Sequence, residues 1–302
     1  LSITDASLIE PFCSGLKGAG PLRFLTYLDL SLCVVLSGST EHASESSQQL
    51  LGEVAAEGQL PLLQELVIQQ PAAIEGVVSM SPFWRAVGGG ACPRLESVTI
   101  QGCSAAQLAE IAAAMRARPP SCVALRALSI PLATPSPAAP QDAAGESLGV
   151  LLAATGSRLE QLSLERVYMG PPSFQTAIAG LVAARCAALR QLKIRFDSSA
   201  IPSDDLLLHA LASGAAPNIT DLDLYDCRSS SEAWTALGGA MGPDGTCLRR
   251  LQSLVLLRAF EGTAQLEIFG RALEAGHGCP ELESLSILRV PSTGVFDGCG
   301  AA

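Results

Sequence analysis

Aromatic side chains are scarce in this chain, and so are positive charges. Phe, Trp and Tyr together make up 4% of the residues, whereas hydrophobic residues of all kinds make up 48%. A core must therefore be built from Leu, Ile, Val and Ala, and the chain is too apolar to be disordered. The 19 Lys and Arg residues are outnumbered by 29 Asp and Glu residues and form no basic run. Such a chain gains little from phosphate backbones, so we predict that it binds no nucleic acid.

Long hydrophobic runs are missing as well. No stretch approaches the roughly 18 consecutive apolar residues of a membrane span, so we predict no membrane association. The segment Leu1–Asp5 contains no Met, no basic residues and no apolar run that would predict a leader.

What the sequence does contain is a repeat. Nine segments fit the pattern Leu-x-x-Leu-x-Leu, with Leu, Ile or Val at each of its three fixed positions. They are Leu25/Leu28/Leu30, Leu63/Leu66/Ile68, Leu95/Val98/Ile100, Leu125/Leu128/Ile130, Leu159/Leu162/Leu164, Leu189/Leu192/Ile194, Ile219/Leu222/Leu224, Leu251/Leu254/Leu256 and Leu282/Leu285/Ile287. Successive copies begin 30 to 38 residues apart. Chance agreement is negligible, because these residue types make up only about a third of an apolar-rich chain.

Each copy predicts a short strand followed by a helix. The last two fixed positions alternate with polar residues, as in Leu162-Ser163-Leu164, which is the period of a half-buried strand. Between copies the apolar spacing becomes helical, as at Leu108, Ile111 and Met115. Two further helix faces are Phe174/Ile178/Leu181 and Leu266/Phe269/Leu273. Single units cannot bury their own apolar faces, so we predict an α/β solenoid of about nine repeats, with parallel strands on the concave side and helices on the convex side.

One segment carries a family resemblance. Residues 91–103 read Ala-Cys-Pro-Arg-Leu-Glu-Ser-Val-Thr-Ile-Gln-Gly-Cys, and residues 279–285 repeat the first half as Cys-Pro-Glu-Leu-Glu-Ser-Leu. This resembles leucine-rich-repeat proteins of the long-repeat type, namely ribonuclease-inhibitor-like proteins and the cysteine-containing repeats of F-box substrate receptors. The repeat spacing of thirty or more residues and the frequent lack of Asn or Cys after the strand depart from that pattern. The resemblance implies a horseshoe fold and, less specifically, a protein-binding role.

The domain boundaries follow from the repeat. We expect one leucine-rich-repeat domain over residues 1–302, with a cap or partial repeat at 1–21, nine repeats at 22–290 and a tail at 291–302. No helix follows the ninth strand before Ala302, so either further repeats follow it or the tail folds over the end.

The cysteines follow the repeat rather than a metal-binding pattern. Three lie three residues after the last fixed position and four lie three residues before the first: Cys33, Cys103 and Cys227, then Cys92, Cys122, Cys186 and Cys279. A small buried thiol suits both turns, and no Cys-x-x-Cys pair offers zinc its usual spacing. Regular burial indicates reduced thiols, so we expect an intracellular, cytoplasmic protein.

No catalytic arrangement stands out. His42, His209 and His277 lie in different repeats without partners at ligand spacing. Gly88–Gly90 does not lead from a strand into a helix, as a phosphate loop requires. We predict that the protein is not an enzyme and holds no metal or cofactor.

Strand residues that face water predict where a partner binds. The first row is Val67, Thr99, Ser129, Ser163, Lys193, Asp223, Val255 and Ser286. The second is Gln69, Gln101, Pro131, Glu165, Arg195, Tyr225, Leu257 and Leu288. The third is Gln70, Gly102, Leu132, Arg166, Phe196, Asp226, Arg258 and Arg289. The C-terminal half collects the Arg and aromatic residues that dominate interfaces, so we predict that the protein-binding residues are Arg166, Lys193, Arg195, Phe196, Asp223, Tyr225, Asp226, Leu257, Arg258 and Arg289.

The charged members of this set have a second interpretation. Lys193 beside Asp223 would form a cross-strand ion pair that stabilises the sheet modestly. Asp226 beside Arg258 would do the same. The Phe, Tyr and Leu members favour binding, because large apolar side chains on an open sheet face need a reason.

The sequence therefore predicts a monomeric, non-catalytic scaffold that binds a protein partner on its concave face. Two narrower roles follow from the resemblance alone: the substrate-recognition arm of an SCF-type (F-box) ubiquitin ligase, and a ribonuclease-inhibitor-like inhibitor or sensor. The first requires a chain that begins earlier, because the roughly twenty residues before Leu22 are too few for an F-box-like domain. The second predicts a concave face richer in acid than these rows are.

Overall fold

The computed structural model describes residues 11–15, 24–30, 51–69, 81–101, 103, 105–116, 124–131, 142–167, 171–196, 205–241, 247–260, 263–275 and 280–288. Within these residues, nine parallel strands form one sheet in chain order. The strands are β1 Tyr27–Leu30, β2 Glu65–Gln69, β3 Ser97–Gln101, β4 Ala127–Pro131, β5 Gln161–Val167, β6 Gln191–Phe196, β7 Asp221–Tyr225, β8 Ser253–Leu257 and β9 Ser284–Leu288. The helices between them with both ends described are α1 Ser81–Gly88, α2 Ala105–Arg116, α3 Asp142–Thr155, α4 Pro171–Ala184, α5 Asp205–Ala212, α6 Ser231–Ala240 and α7 Thr263–Ala275, and residues 51–56 between β1 and β2 are helical as well.

The repeat sets the register of the sheet. Leu128 pairs with Leu162, Leu162 with Leu192, and Leu192 with Leu222, so equivalent positions lie side by side. Parallel strands need a crossover, and the helices provide it on the opposite, convex side. The prediction of an α/β leucine-rich-repeat solenoid is confirmed.

A backbone hydrogen-bond ladder joins the repeats just before each strand. The carbonyl of Arg126 accepts two bonds from the next repeat, from the N–H of Glu160 at 2.7 Å and of Gln161 at 2.9 Å. The same arrangement recurs at every step, from the carbonyl of Thr26 to that of Gln252. The backbone N–H groups at the start of each strand therefore have hydrogen-bond partners in the preceding repeat, which fixes the position of each repeat relative to the one before it.

The core lies between the sheet and the helices. Leu162, Leu192 and Leu222 are at most 2% exposed. The predicted helix faces at Leu108/Ile111/Met115 and Phe174/Ile178/Leu181 are buried, as is Phe269. Leu266 was predicted to share the Phe269 face but is 36% exposed, because α7 belongs to the last described helix–strand unit.

Glycines let α3 and α4 approach closely. A Cβ placed on Gly180 would lie 2.5 Å from the Cα of Gly149, so neither position has room for a side chain. Near the start of the same pair, the N–H of Gly145 donates to the Oγ of Ser173 at 2.8 Å in a buried environment. The two helix backbones therefore touch directly rather than through interleaved side chains.

The cysteine pattern predicted buried thiols, and the described members agree. Cys92, Cys103, Cys186 and Cys227 are at most 5% exposed. Burial raises the pKa of the Cys92 and Cys186 thiols to about 11 and that of Cys103 to about 12. Cys33, Cys122 and Cys279 lie outside the described residues.

The last strand is covered differently from the others. Leu285 is 45% exposed and Ile287 is 36% exposed, although the equivalent residues of the preceding strand, Leu254 and Leu256, are fully buried. Leu288 at the end of β9 is 57% exposed. These three side chains form an apolar surface at the β9 end of the sheet.

Candidate protein-binding surface

The inner face of the sheet forms a shallow groove. Its volume is about 440 Å³, and side chains of six strands, β3 to β8, line it. Two parallel rows of outward-facing residues form the floor. One is Thr99, Ser129, Ser163, Lys193, Asp223 and Val255, and the other is Ser97, Ala127, Gln161, Gln191, Asp221 and Ser253.

The first of these rows was predicted from the sequence, but the second was not. The missed row occupies the residue directly before the second fixed position of each repeat. Period-two alternation carries it to the same face as the first row, and that signal was present in the sequence. Every strand begins at this residue, so a prediction that began each strand at the second fixed position could not include it.

The two halves of the floor differ in chemistry. From β3 to β5 it consists of Ser, Thr, Ala and Gln side chains and holds no charge. From β6 onward it contains Lys193, Asp221 and Asp223. The predicted change of character along the concave face is therefore present in the groove.

Lys193 lies at the centre of the charged half. Its Nζ donates to Oε1 of Glu165 at 2.8 Å and lies 5.7 Å from the centre of the Tyr225 ring. The hydrogen bond to Glu165 raises the pKa of Lys193 despite partial burial. The predicted partner, Asp223, was the wrong one: two carboxylates flank this ammonium, and the described ion pair is with Glu165 on the preceding strand.

Asp223 and Asp221 share one face of β7. Burial raises the pKa of Asp223, Lys193 opposes that shift, and the neighbouring Asp221 adds to it. The Oγ1 of Thr220 donates to Oδ2 of Asp221 at 2.7 Å, which orients that carboxylate. The two side chains place negative charge on the groove floor.

The predicted pair of Asp226 and Arg258 is confirmed. The Nε of Arg258 lies 3.0 Å from Oδ1 of Asp226, and both residues have left-handed backbones, with φ of 57° and 53°. The Asp226 side chain is only 9% exposed. Its predicted position as an open contact residue is therefore wrong, because the chain turns after β7 and draws the carboxylate into this pair.

Phe196 was predicted to be exposed, and this is wrong. It is 2% exposed and packs edge-on against Phe174, with ring centres 5.5 Å apart. Strand β6 extends one residue beyond the equivalent ends of β7 and β8, so alternation continues and turns Phe196 inward after Arg195. A register shift in β5 lets Val167 pair with it.

The other predicted residues remain on the surface or lie outside the description. Arg195 and Arg258 are exposed, and Tyr225 and Leu257 are half-buried at neighbouring positions on β7 and β8. Arg166 belongs to β5, but its side chain is outside the described set, as is the whole of Arg289.

The residues that the structure describes also bear on other chemistries. No group of three or more His, Cys, Asp and Glu residues there is arranged to hold a metal ion. Within the same residues, no helix has both the length and the apolar character needed to cross a bilayer.

Comparisons with known proteins do not show a family for this chain. No protein-family model and no curated protein matches the chain. Among solved structures, it is similar to the one described as "Crystal structure of TLR13-ssRNA13 complex", at 17% identity and a TM-score of 0.42. That match covers 89% of this chain and 33% of the other, so the chain spans about a third of that protein's length. The in-register repeat, rather than this likeness, identifies the solenoid.

Proposed function

We propose that this protein is a non-catalytic recognition scaffold that binds a protein partner on the concave face of its sheet. One observation carries the proposal: helices cover one face of the sheet, while six strands line an open groove on the other. A rigid array of parallel strands presents such a surface without needing to rearrange, which lowers the entropic cost of binding.

The residues most suited to anchoring a partner lie on the C-terminal side of the groove. Tyr225 and Leu257 are neighbours across β7 and β8, and both keep part of their side chains accessible. Arg195 on β6 is exposed and lies next to Tyr225 on β7. An aromatic ring, an aliphatic side chain and a guanidinium in one patch have the composition of an interface hot spot.

Site-specific photocrosslinking tests the choice of face. A photoreactive phenylalanine analogue replaces Gln161, on the groove floor, or Gln175, an exposed residue of α4 on the convex side. In lysate of cells that express the protein, we expect the concave position to give a discrete crosslinked protein and the convex position to give none. Crosslinks from Gln175 alone would refute the concave assignment.

Side-chain truncation then tests the anchors against the protein identified by crosslinking. Tyr225→Ala and Leu257→Ala should each weaken binding about 30-fold, the loss typical of a hot-spot residue. Val182→Ala is the matched control, because Val182 is 43% exposed on the convex helix α4. Circular dichroism checks that each variant stays folded, and full affinity in both groove variants would place the site elsewhere.

The two narrower roles differ in what should accompany the protein. A substrate-recognition arm would co-purify with the adaptor and cullin subunits of a ubiquitin ligase. A ribonuclease-inhibitor-like inhibitor would form a tight complex with one target and no ligase subunits. Affinity purification of the natural protein separates the two roles, and neither is needed for the scaffold proposal itself.

A further inference from the structure

Several charged side chains along the sheet are already paired within the protein. Arg126 pairs with Glu160 at 3.0 Å, Lys193 with Glu165 at 2.8 Å, and Arg258 with Asp226 at 3.0 Å. Each pair joins neighbouring repeats. Such pairs are worth little at the surface, but they leave their members with less charge to offer a partner.

Four charged side chains at β6 and β7 are not paired in this way. Arg190 and Arg195 flank the two ends of β6, while Asp221 and Asp223 lie on the face of β7. None of the four forms an ion pair with another residue among those the structure describes. Two neighbouring strands therefore present opposite charges to any partner.

Negative charge prevails at the groove floor itself. Asp221 and Asp223 are two residues apart on one strand, which places their side chains about 7 Å from each other on the same face. The ammonium of Lys193 is next to Asp223, but it already donates to Glu165. An ammonium or guanidinium group from outside would relieve the repulsion between the two aspartates.

The neutral half of the floor indicates the shape of the occupant. Ser97, Thr99, Ser129 and Ser163 present short hydroxyl side chains along β3 to β5. Hydroxyls both donate and accept hydrogen bonds, and they let a partner backbone come close to the sheet. An extended segment has free N–H and C=O groups to use them, whereas a helix satisfies its own and docks through an apolar face.

We propose that the groove binds an extended polypeptide segment that crosses the strands and places an Arg or Lys side chain between Asp221 and Asp223. The backbone of that segment lies over the hydroxyl-rich floor of β3 to β5. The inference rests on the proposed function and adds to it the conformation and the charge of the bound element. Nucleic acid does not fit the same floor, since its phosphates would meet the two carboxylates.

Selection from a phage library of random 12-residue peptides tests this on the intact protein. Wild-type protein should enrich peptides in which Arg and Lys are more frequent than in the unselected library. Selection on Asp221→Asn/Asp223→Asn should lose that preference. Glu96→Gln/Glu283→Gln is the matched control, because it removes two exposed carboxylates that lie outside the groove lining, and it should enrich the same peptides as wild type.

Fluorescence polarisation then measures one enriched peptide against the three proteins. We expect binding about 30-fold weaker to the aspartate double variant, unchanged binding to the control variant, and weaker binding as salt rises. Equal affinity for all three proteins would overturn the inference. Displacement of the labelled peptide by an unlabelled 20-nucleotide uridine RNA would overturn it as well.

The outcomes also separate this inference from the function on which it rests. If Gln161 crosslinks to a partner but no peptide is enriched on wild-type protein, the extended-segment inference fails and the scaffold stands. If neither result is obtained, both fail.

Discussion

The sixth and ninth repeats carry the same motif and bury it to different extents. In the sixth, Leu192 and Ile194 are at most 2% exposed. In the ninth, the equivalent residues Leu285 and Ile287 are 45% and 36% exposed. The residue types match, so the motif alone does not create a buried position. Burial requires the side chains that the following repeat supplies.

The difference has an energetic meaning. Burying a leucine completely is worth about 1.5–3 kcal/mol relative to leaving it exposed. A central repeat gains this stabilisation by packing against two neighbouring repeats. The leucines of β9 are only partly buried by their described surroundings and gain only part of it. In a solenoid, stability is close to a sum of repeat and interface terms, so the centre should be the more stable region and the β9 end the less stable one.

Shortening equivalent leucines tests this comparison most strongly. Leu192→Ala should lower the free energy of unfolding by about 2–5 kcal/mol, because it opens a cavity among close-packed neighbours. Leu285→Ala should cost less than about 1 kcal/mol, because solvent already reaches that side chain. Urea unfolding followed by circular dichroism measures both. Similar losses in the two variants would mean that the ends are as closely packed as the centre.

The close contact of α3 with α4 should be the next most sensitive feature. Gly180→Ala places a methyl group 2.5 Å from the Cα of Gly149, and backbone atoms cannot yield as a flexible side chain would. We expect a loss of about 1–3 kcal/mol in the free energy of unfolding. Gly239 in α6 has no atom within 4 Å of an added Cβ, so Gly239→Ala is the control. A neutral Gly180→Ala would show that the helices can move apart.

The buried thiols of the central repeats should make stability depend on alkaline pH. The unfolded thiol has a pKa near 9, and the pKa of folded Cys186 is about 11, so the unfolded chain loses this proton first. Stability should therefore fall as pH rises above about 9, by up to about 1.4 kcal/mol per pH unit for this thiol, and level off above the folded pKa. Cys186→Ala should reduce that slope. Urea unfolding under reducing conditions at pH 9 and pH 10 measures it, and identical slopes would mean that the thiol is not shielded.

The smallest expected effect lies at the open end and has the opposite sign. Gly270 is exposed within α7, and nothing lies within 4 Å of a Cβ added there. Gly270→Ala should raise stability by about 0.5–1 kcal/mol, because alanine favours the helix. Hydrogen exchange of α7 and β9 amides should slow in this variant. Unchanged exchange would mean that local unfolding at the β9 end of the sheet does not involve unfolding of α7.

The sequence predicted the fold because one signal was repeated nine times. Leucine spacing, the change from a period of two to a helical period, and the positions of the cysteines each indicated the same stacked units. The buried state of Cys103 and Cys186 could be predicted from their position in the repeat alone. Redundancy of this kind makes a single irregular copy harmless to the fold prediction.

The surface was predicted less well, because it depends on details that differ between repeats. Phe196 continues the inward alternation of Leu192 and Ile194 to the end of β6, which is longer than β7 and β8 by one residue. Lys193 had two candidate carboxylates, and the choice of Glu165 depends on distances that a sequence does not contain. Asp226 lies in a left-handed turn that buries it against Arg258, and although Asp adopts this conformation more readily than most residues, the sequence does not show that it does so here.

The glycine contact between α3 and α4 also affects the shape of the groove. Strands on the inner side are held about 4.8 Å apart by hydrogen bonds, whereas packed helices usually lie about 8–10 Å apart, and this mismatch bends the arc. Where Gly149 meets Gly180 the two helix backbones touch, so we expect the outer spacing to be smaller and the arc to be flatter there. These helices connect β4 to β5 and β5 to β6, next to the boundary between the uncharged and the charged floor of the groove. A ligand that spans both halves of the groove would therefore cross the flattest part of the arc where the floor changes from uncharged to charged.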